Sequence, residues 1–367
     1  MEKGNKILIV VPSLTLGGAE KQALEYAKSL KRIGLTPLML GIGREGEMVS
    51  KLKELEIDYK TYSFSNFFNT SKFNQFLFLL QFTFYVRNLK CKTGISFTYW
   101  PNVIFKLISK FSGIKTMYWN QRSVDDKLQP VFWERLSRNM KVNYLANSIA
   151  SARSISKRHA VSQKDIQVIY NVMDFSSSDI IKQKKSTIDI IMVANFFEEK
   201  DHFTLIKAFH ELVMQHLNLD LKLHLVGTAP GESRRLLEVK AMAFDLGLCK
   251  KVVFHGVVSD VKSMLLQMDI GVLSTYSEGF SNSIMEYMDA GLPVVASAIG
   301  PNLEALTELN KAFLFEVEHV DELASKFEIL ILDENLRREI GAKNRAIAHK
   351  SFHIRNLDLV LKQLLVS

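Results

Sequence analysis

Short apolar runs alternate along the chain with longer segments in which apolar residues recur every three or four positions. A run that is apolar at consecutive positions and is closed by glycine, proline or small polar residues fits a strand buried on both faces. The longer segments fit helices laid over those faces. In the first half the runs fall at residues 6–12, 36–41, 93–97, 115–120 and 143–147. In the second half they fall at 189–194, 221–227, 251–255, 270–274, 293–297 and 312–315. This alternation predicts an α/β chain made of two Rossmann-like, doubly wound parallel-sheet units. Residues 175–187, FSSSDIIKQKKST, combine a serine cluster with a lysine pair and follow neither period, so the linker is placed there. The first domain is then 1–175 and the second begins at 176.

Composition changes this picture little. The 367 residues are too many for one ordinary core, and 47% hydrophobic with 23% charged residues is usual for a water-soluble globular chain. A net charge of +8 suits an anionic substrate, nucleic acid or an anionic membrane surface, and chooses among none of them. Cys91 and Cys249 stand far apart, outside any zinc-binding or disulfide spacing, which fits a reducing, cytoplasmic setting. The start, MEKGNKILIVVPSLTLGGAE, has the charge and apolar stretch of a signal peptide. Its continuous apolar run, however, is only residues 7–11 before Pro12 and Ser13, so it reads as a buried first strand. No apolar run approaches the roughly 20 residues of a membrane-spanning helix.

One segment stands apart. Residues 64–90 carry eight phenylalanines between Phe64 and Phe84, followed by Arg87, Lys90 and Lys92. Two readings stay open: a helix packed on the sheet, or a surface that dips into a membrane interface, with Phe76, Phe78 and Phe82 as its apolar residues.

Candidate chemistry lies after the strands. Gly17 and Gly18 sit between the first strand and a helix, where glycine lets a ligand approach the backbone and helix amides can meet an anion. The spacing is neither the dinucleotide fingerprint nor the lysine-containing phosphate loop, and a plain tight turn explains it as well. Arg122 in WNQRS is the fixed cation at the end of another strand, with a solvated loop arginine as the alternative. All nine histidines fall at or after His159, so the body of the first domain offers none for catalysis. In the second half Lys200 follows Glu198 and Glu199 just before a helix, where ammonium and helix dipole could address one phosphate. The stretch EGFSNSIME, residues 278–286, places Glu278 before a helix and Glu286 within it. Ser281 or Asn282 is the candidate cap, and the first-turn amides form an anion cradle. Paired glutamates at a helix start also occur as plain capping and solvated charges.

The order GGAE, LANS, VIYNVMD, LVG, VVFHG and SEGFSNSIMEYMDAGLPVVAS resembles the family 4 (group 1) retaining glycosyltransferases of bacterial surface-polysaccharide type, over nearly the whole chain. The resemblance implies a GT-B fold: two Rossmann-like domains facing across a cleft, the acceptor held mainly by the first and a nucleotide-sugar donor by the second. It implies domains at 1–175 and 176–351, with a final helix in 352–367 returning to the first domain. Glu286 would hold the nucleotide ribose and Glu278 would lie by the donor sugar. Lys200 would neutralise the diphosphate, helped by amides from Phe280, Ser281, Asn282 and Ser283. Gly227 of LVG and Asn195 complete the donor set, and Gly17 and Gly18 would let the first domain approach the donor.

Three departures stand out. Asn195 replaces a common arginine, Arg122 stands where many members carry a first-domain histidine, and GPN at residues 300–302 replaces GG ahead of Glu304. No metal or other cofactor is implied. The expected partners are a nucleoside diphosphate sugar, UDP-sugar favoured and GDP-sugar possible, and a saccharide acceptor, expected to be lipid-linked. Peripheral attachment to the inner membrane face is expected, without nucleic acid. The alternatives are another GT-B enzyme, such as an epimerase or phosphorylase, and a catalytically silent GT-B partner protein.

Overall fold

The computed structural model describes residues 6–124, 131–175, 185–228, 234–306 and 308–366. Most of the segment read as the linker, 176–184, lies outside the described residues. The chain divides into two compact units, residues 1–173 with 354–367, and residues 174–353.

Unit 1 is built on β1 (Lys6–Val11), β2 (Thr36–Gly41), β3 (Asp58–Thr61), β4 (Thr93–Phe97), β5 (Thr116–Gln121), β6 (Asn143–Ala146) and β7 (Ile166–Val168). They form one sheet in the order β3-β2-β1-β4-β5-β6-β7, and every pairing is parallel. The run in β1 shows why both faces need cover. Leu8 and Val10 enter one core with Phe82, Phe105 and Trp119. Ile7, Ile9 and Val11 enter the other, with Tyr26, Leu30 and Phe97. A two-residue period buried on both sides gives a doubly wound sheet. Two short edge strands, β3 and β7, were not expected from the sequence. In β3 Asp58 and Lys60 are exposed and alternate with half-buried residues, so the apolar signal is too weak to read.

The phenylalanine-rich segment is a helix, Lys72–Asn88, started by Ser71, whose side chain accepts from the Asn74 amide. It satisfies the packed reading on one side: Leu79, Phe82 and Val86 are buried and Phe78 is partly buried against the same core. Phe78 and Phe82 therefore do not form a surface with Phe76. The opposite side, with Phe73, Phe76 and Phe84, is exposed.

The last helix, Ile354–Leu365, packs on the helix Gly18–Arg32 of unit 1. Ile354, Leu357 and Leu361 are buried there, and Asp358 takes bonds from Ser29 (2.5 Å) and both Arg32 Nε (2.9 Å) and Arg32 Nη2 (2.8 Å).

Unit 2 carries β8 (Ile188–Val193), β9 (Leu221–Val226), β10 (Val252–Gly256), β11 (Ile270–Leu273), β12 (Val294–Ser297) and β13 (Leu314–Phe315). The sheet order is β10-β9-β8-β11-β12-β13, again all parallel. Here all the strands were legible in the sequence, because most of their positions are buried.

Candidate active site

In unit 2 the strand order reverses between β8 and β11, which pair directly at Ile190 with Ile270 and Ile191 with Gly271. Connections leave the carboxyl ends of two such strands in opposite directions and open a crevice, the usual place for a ligand in this sheet class. The loop after β8 supplies Asn195 and Lys200, and the loop after β11 supplies Glu278.

These two loops are stitched to each other by backbone. The Asp201 amide donates to Ser274 O (3.0 Å), the Tyr276 amide to Glu199 O (2.8 Å), and Thr275 Oγ1 also to Glu199 O (2.8 Å). Asp201 then caps the helix His202–Gln215, its Oδ1 accepting from the Thr204 amide (3.1 Å). Held this way, the Lys200 ammonium meets the Glu278 carboxylate in an ion pair, with the side chains only 18% and 14% exposed. The structure thus brings together two residues that lie far apart in sequence. A partly desolvated pair of this kind attracts more strongly than one in open water, yet it stays within reach of a polar ligand.

The Lys200 backbone is also fixed. Its carbonyl accepts from the His202 amide (3.1 Å) and from Arg235 Nη2 (3.1 Å), and faces His202 Nδ1 (3.3 Å). Burial pushes the His202 imidazole down to about 4, so the ring is neutral near pH 7, stacked on Phe196 at 4.3 Å. The Arg235 guanidinium lies 4.2 Å over the Phe203 ring, and its buried Nε has no hydrogen-bond partner among the described residues. Arg235 places a second cation beside Lys200, and the sequence reading missed it. Its only signal was a basic pair, Arg234 and Arg235, at the start of the helix after β9.

Asn195 occupies the position where an arginine was expected. Its Oδ1 accepts from the Thr228 amide (3.0 Å), tying together the loops after β8 and β9. Gly227 sits at that junction, where a Cβ would run into the carbonyl oxygen of Ala194, so the close approach of two backbones requires glycine.

The helix Asn282–Asp289 starts at Ser281, not Asn282, with Ser281 Oγ accepting from the Ile284 amide (3.4 Å). Ser283 Oγ donates to Val193 O (2.6 Å) at the end of β8. Two of the three polar side chains expected to form an anion cradle are therefore already used, Ser281 in capping the helix and Ser283 in tying it to β8, which leaves the first-turn amides as what this helix start offers an anion. Tyr287 clamps the helix over the strand junction. Its hydroxyl accepts from the Val193 amide (2.6 Å) and donates to Val272 O (3.2 Å), and the ring lies where a Cβ on Gly271 would be. Phe280 is buried against Phe352 at 5.4 Å. Glu286 is half-buried within this short helix, between the buried Met285 and Tyr287 in sequence.

In unit 1, Gly17 is the residue before the helix Gly18–Arg32, and the Glu20 side chain folds back over it. Burial pushes the Glu20 carboxyl up from its ordinary range, opposed by bonds from its own amide and from Ser13. The helix start thus already holds a carboxylate where an anion was expected. Arg122 is not a loop cation. It is buried, bonded to Asn171 and Asn120, and lies 5.7 Å from the Phe97 ring. Burial pushes its guanidinium down to about 10. Its side chain is held inside unit 1 by these asparagines, where the sequence reading expected a cation exposed at the strand end. Thr98, directly after β4, has φ 69°, a strained value for a β-branched residue. β4 and β1 are the strands between which the order of this sheet reverses.

The described residues contain no group of three or more His, Cys, Asp or Glu side chains able to hold a metal ion.

Residues 175–347 match the family described as glycosyl transferases group 1. The chain is 28% identical over 198 residues to N-acetyl-alpha-D-glucosaminyl L-malate synthase of Bacillus anthracis, covering 52% of this chain and 50% of that protein. It therefore spans about half of that relative, and 57% of protein CapJ of Staphylococcus aureus, to which it is 25% identical. It is 23% identical to N-acetylgalactosamine-N,N'-diacetylbacillosaminyl-diphospho-undecaprenol 4-alpha-N-acetylgalactosaminyltransferase of Campylobacter jejuni, covering 93% of each chain. Among solved structures, Anabaena HepE in complex with UDP and glucose superposes with TM-score 0.83, at 20% identity, over 98% of this chain and 99% of that one. The sheets, the loops that leave them and these likenesses agree: the chain has the GT-B fold, and residues 175–347, nearly all of unit 2, match the glycosyl transferases group 1.

Proposed function

We propose that the protein transfers a sugar from a nucleoside diphosphate donor, UDP-sugar favoured, to a hydroxyl of a lipid-linked saccharide during synthesis of a bacterial surface polysaccharide. The anomeric configuration of the sugar is retained. The Lys200–Glu278 ion pair beside the start of the helix Asn282–Asp289 carries this reading. A diphosphate takes over the Lys200 ammonium and the first-turn amides, which stabilise the charge that develops on it as the glycosidic bond breaks. Glu278, released from Lys200, accepts from sugar hydroxyls, and Glu286 accepts from the ribose. The acceptor oxygen bonds to the anomeric carbon as the bond from that carbon to the diphosphate breaks, and the hydroxyl proton passes to the departing nucleoside diphosphate.

UDP as donor nucleotide is supported by the UDP-bound structure that this chain resembles, and a lipid diphosphate acceptor by the names of the Campylobacter relatives. Retention rests on the likeness of EGFSNSIME to the paired-glutamate motif. A site at a membrane surface follows from such an acceptor, although among the described residues no helix is long and apolar enough to cross a membrane.

Thermal unfolding in the presence of UDP, GDP, ADP and CMP tests the donor class, because a nucleotide that binds the native state stabilises it by mass action. A rise with UDP that disappears in Glu286→Ala is expected. No rise with any nucleotide would favour a silent partner protein instead.

A further inference from the structure

The helix Lys72–Asn88 is apolar on two opposite sides, and only one of them is covered. On the open side Phe73 (69% exposed), Phe76 (54%), Leu77, Leu80 and Phe84 (57%) recur at helical spacing and form one stripe. A helix that is hydrophobic all round is normally enclosed, and a contiguous exposed apolar strip of this length marks a surface that meets something apolar. Phe132, also exposed, extends it at the amino end, where the Lys72 ammonium lies 5.6 Å from the Phe132 ring and 5.9 Å from the Trp133 ring.

The charge around the stripe tells what that apolar partner is. Residues 59–124, which contain the helix, include no aspartate or glutamate and nine lysines and arginines. Lys106 and Arg122 are buried; the other seven, Lys60, Lys72, Arg87, Lys90, Lys92, Lys110 and Lys115, are exposed. Lys72 and Arg87 stand at the two ends of the stripe, where long side chains can lay their stems on apolar surface and keep their charges in a polar layer. An apolar strip with a cation at each end, in a stretch of chain that has no acidic residue, matches a bilayer interface with anionic headgroups, which takes aromatic and leucine side chains below and basic heads at its surface. A neutral apolar groove would leave Lys72 and Arg87 without anionic counterparts.

We propose that this face docks unit 1 on an anionic membrane surface, the apolar stripe entering the interface and the flanking cations meeting lipid phosphates. The proposal gives the lipid-linked acceptor a place to be met, and so rests on that reading for its purpose; the lipid binding itself is measured separately.

The test is cosedimentation of the full chain with vesicles of phosphatidylcholine alone and with phosphatidylglycerol added, at low and high salt. Binding to the anionic vesicles that weakens with salt is expected. In Phe73→Ser/Phe76→Ser/Phe84→Ser the partition should fall by about tenfold or more, with the far-ultraviolet circular dichroism and the unfolding transition of unit 1 kept as evidence of folding. Lys72→Glu/Arg87→Glu, which leaves the stripe intact, should weaken binding to anionic vesicles alone. Equal binding by the triple variant, or binding indifferent to lipid charge, overturns the proposal. So does self-association in sedimentation velocity that the triple variant abolishes, which would assign the face to a second copy. Transfer to a water-soluble acceptor analogue does not require the membrane, so its absence counts against the transferase reading and not against lipid docking.

Discussion

Lys200 and Glu278 show how one charge can be stored for a ligand. Each is mostly shielded, and each is neutralised by the other in the structure. Lys200→Ala removes the cation that the proposed diphosphate needs in the transition state, so kcat should fall about 10²- to 10³-fold, as when one preorganised charge donor is lost. A steady-state assay of nucleoside diphosphate release checks this, and unchanged kcat would remove Lys200 from the mechanism.

The buried cations of unit 1 behave differently. Lys106 donates to Tyr144 Oη (3.1 Å) and lies 5.7 Å from the rings of Trp119 and Tyr144. Burial pushes its ammonium down to about 8. The unfolded chain, with an ordinary lysine, therefore holds this proton more tightly between about pH 8 and 10.5. Stability should rise with pH across that window, and the whole cost of the buried charge is present below it. Lys106→Met should raise stability at pH 7 by about 1–3 kcal/mol and remove this part of the slope, measured by denaturant unfolding from pH 7 to 10. Arg122 shows what sequence could not supply at this scale. Its place at the end of β5 was legible, but whether its side chain faces out or packs among Asn120, Asn171 and Phe97 depends on neighbours from two other segments.

Among the elements, those with a continuous apolar run were read correctly and those without were not. β1 and β8 are nearly all buried, whereas β3 has Asp58 and Lys60 facing solvent and β7 is three residues long. The helix Lys72–Asn88 is the instructive case, because its two-sided apolar pattern fits both of the readings left open, and packing assigns a side to each. The helix Ile354–Leu365 follows unit 2 in sequence but belongs to unit 1. Ile354, Leu357 and Leu361 each contribute roughly 1.5–3 kcal/mol on burial, and Asp358 adds its bonds to Ser29 and Arg32. A chain ending at His353 should lose roughly 10 °C or more from the unfolding transition of unit 1. Scanning calorimetry should show a UDP-responsive transition of unit 2 that is unaffected. A single transition shifted as a whole would contradict this assignment.

At the scale of the whole molecule, both units use one sheet architecture, and in each the chain places its unusual residues where the strand order reverses. In unit 2 these are the ion pair and the capped helix between β8 and β11; in unit 1 they are Gly17 after β1 and strained Thr98 after β4. The sequence by itself determined the parallel sheets, the doubly wound order, the loops that carry Gly17, Lys200 and Glu278, and the helix that carries Glu286. Apolar period and strand-end position are local properties and survive translation into one dimension. Only the tertiary structure decided that Lys200 meets Glu278, that Arg235 joins them, and that Arg122 turns inward. It also decided that Ser281 caps its own helix while Ser283 ties that helix to β8, and which side of the phenylalanine-rich helix is left open. Each of these depends on groups brought together by the fold, and the burial and bonding that result set their availability to a ligand.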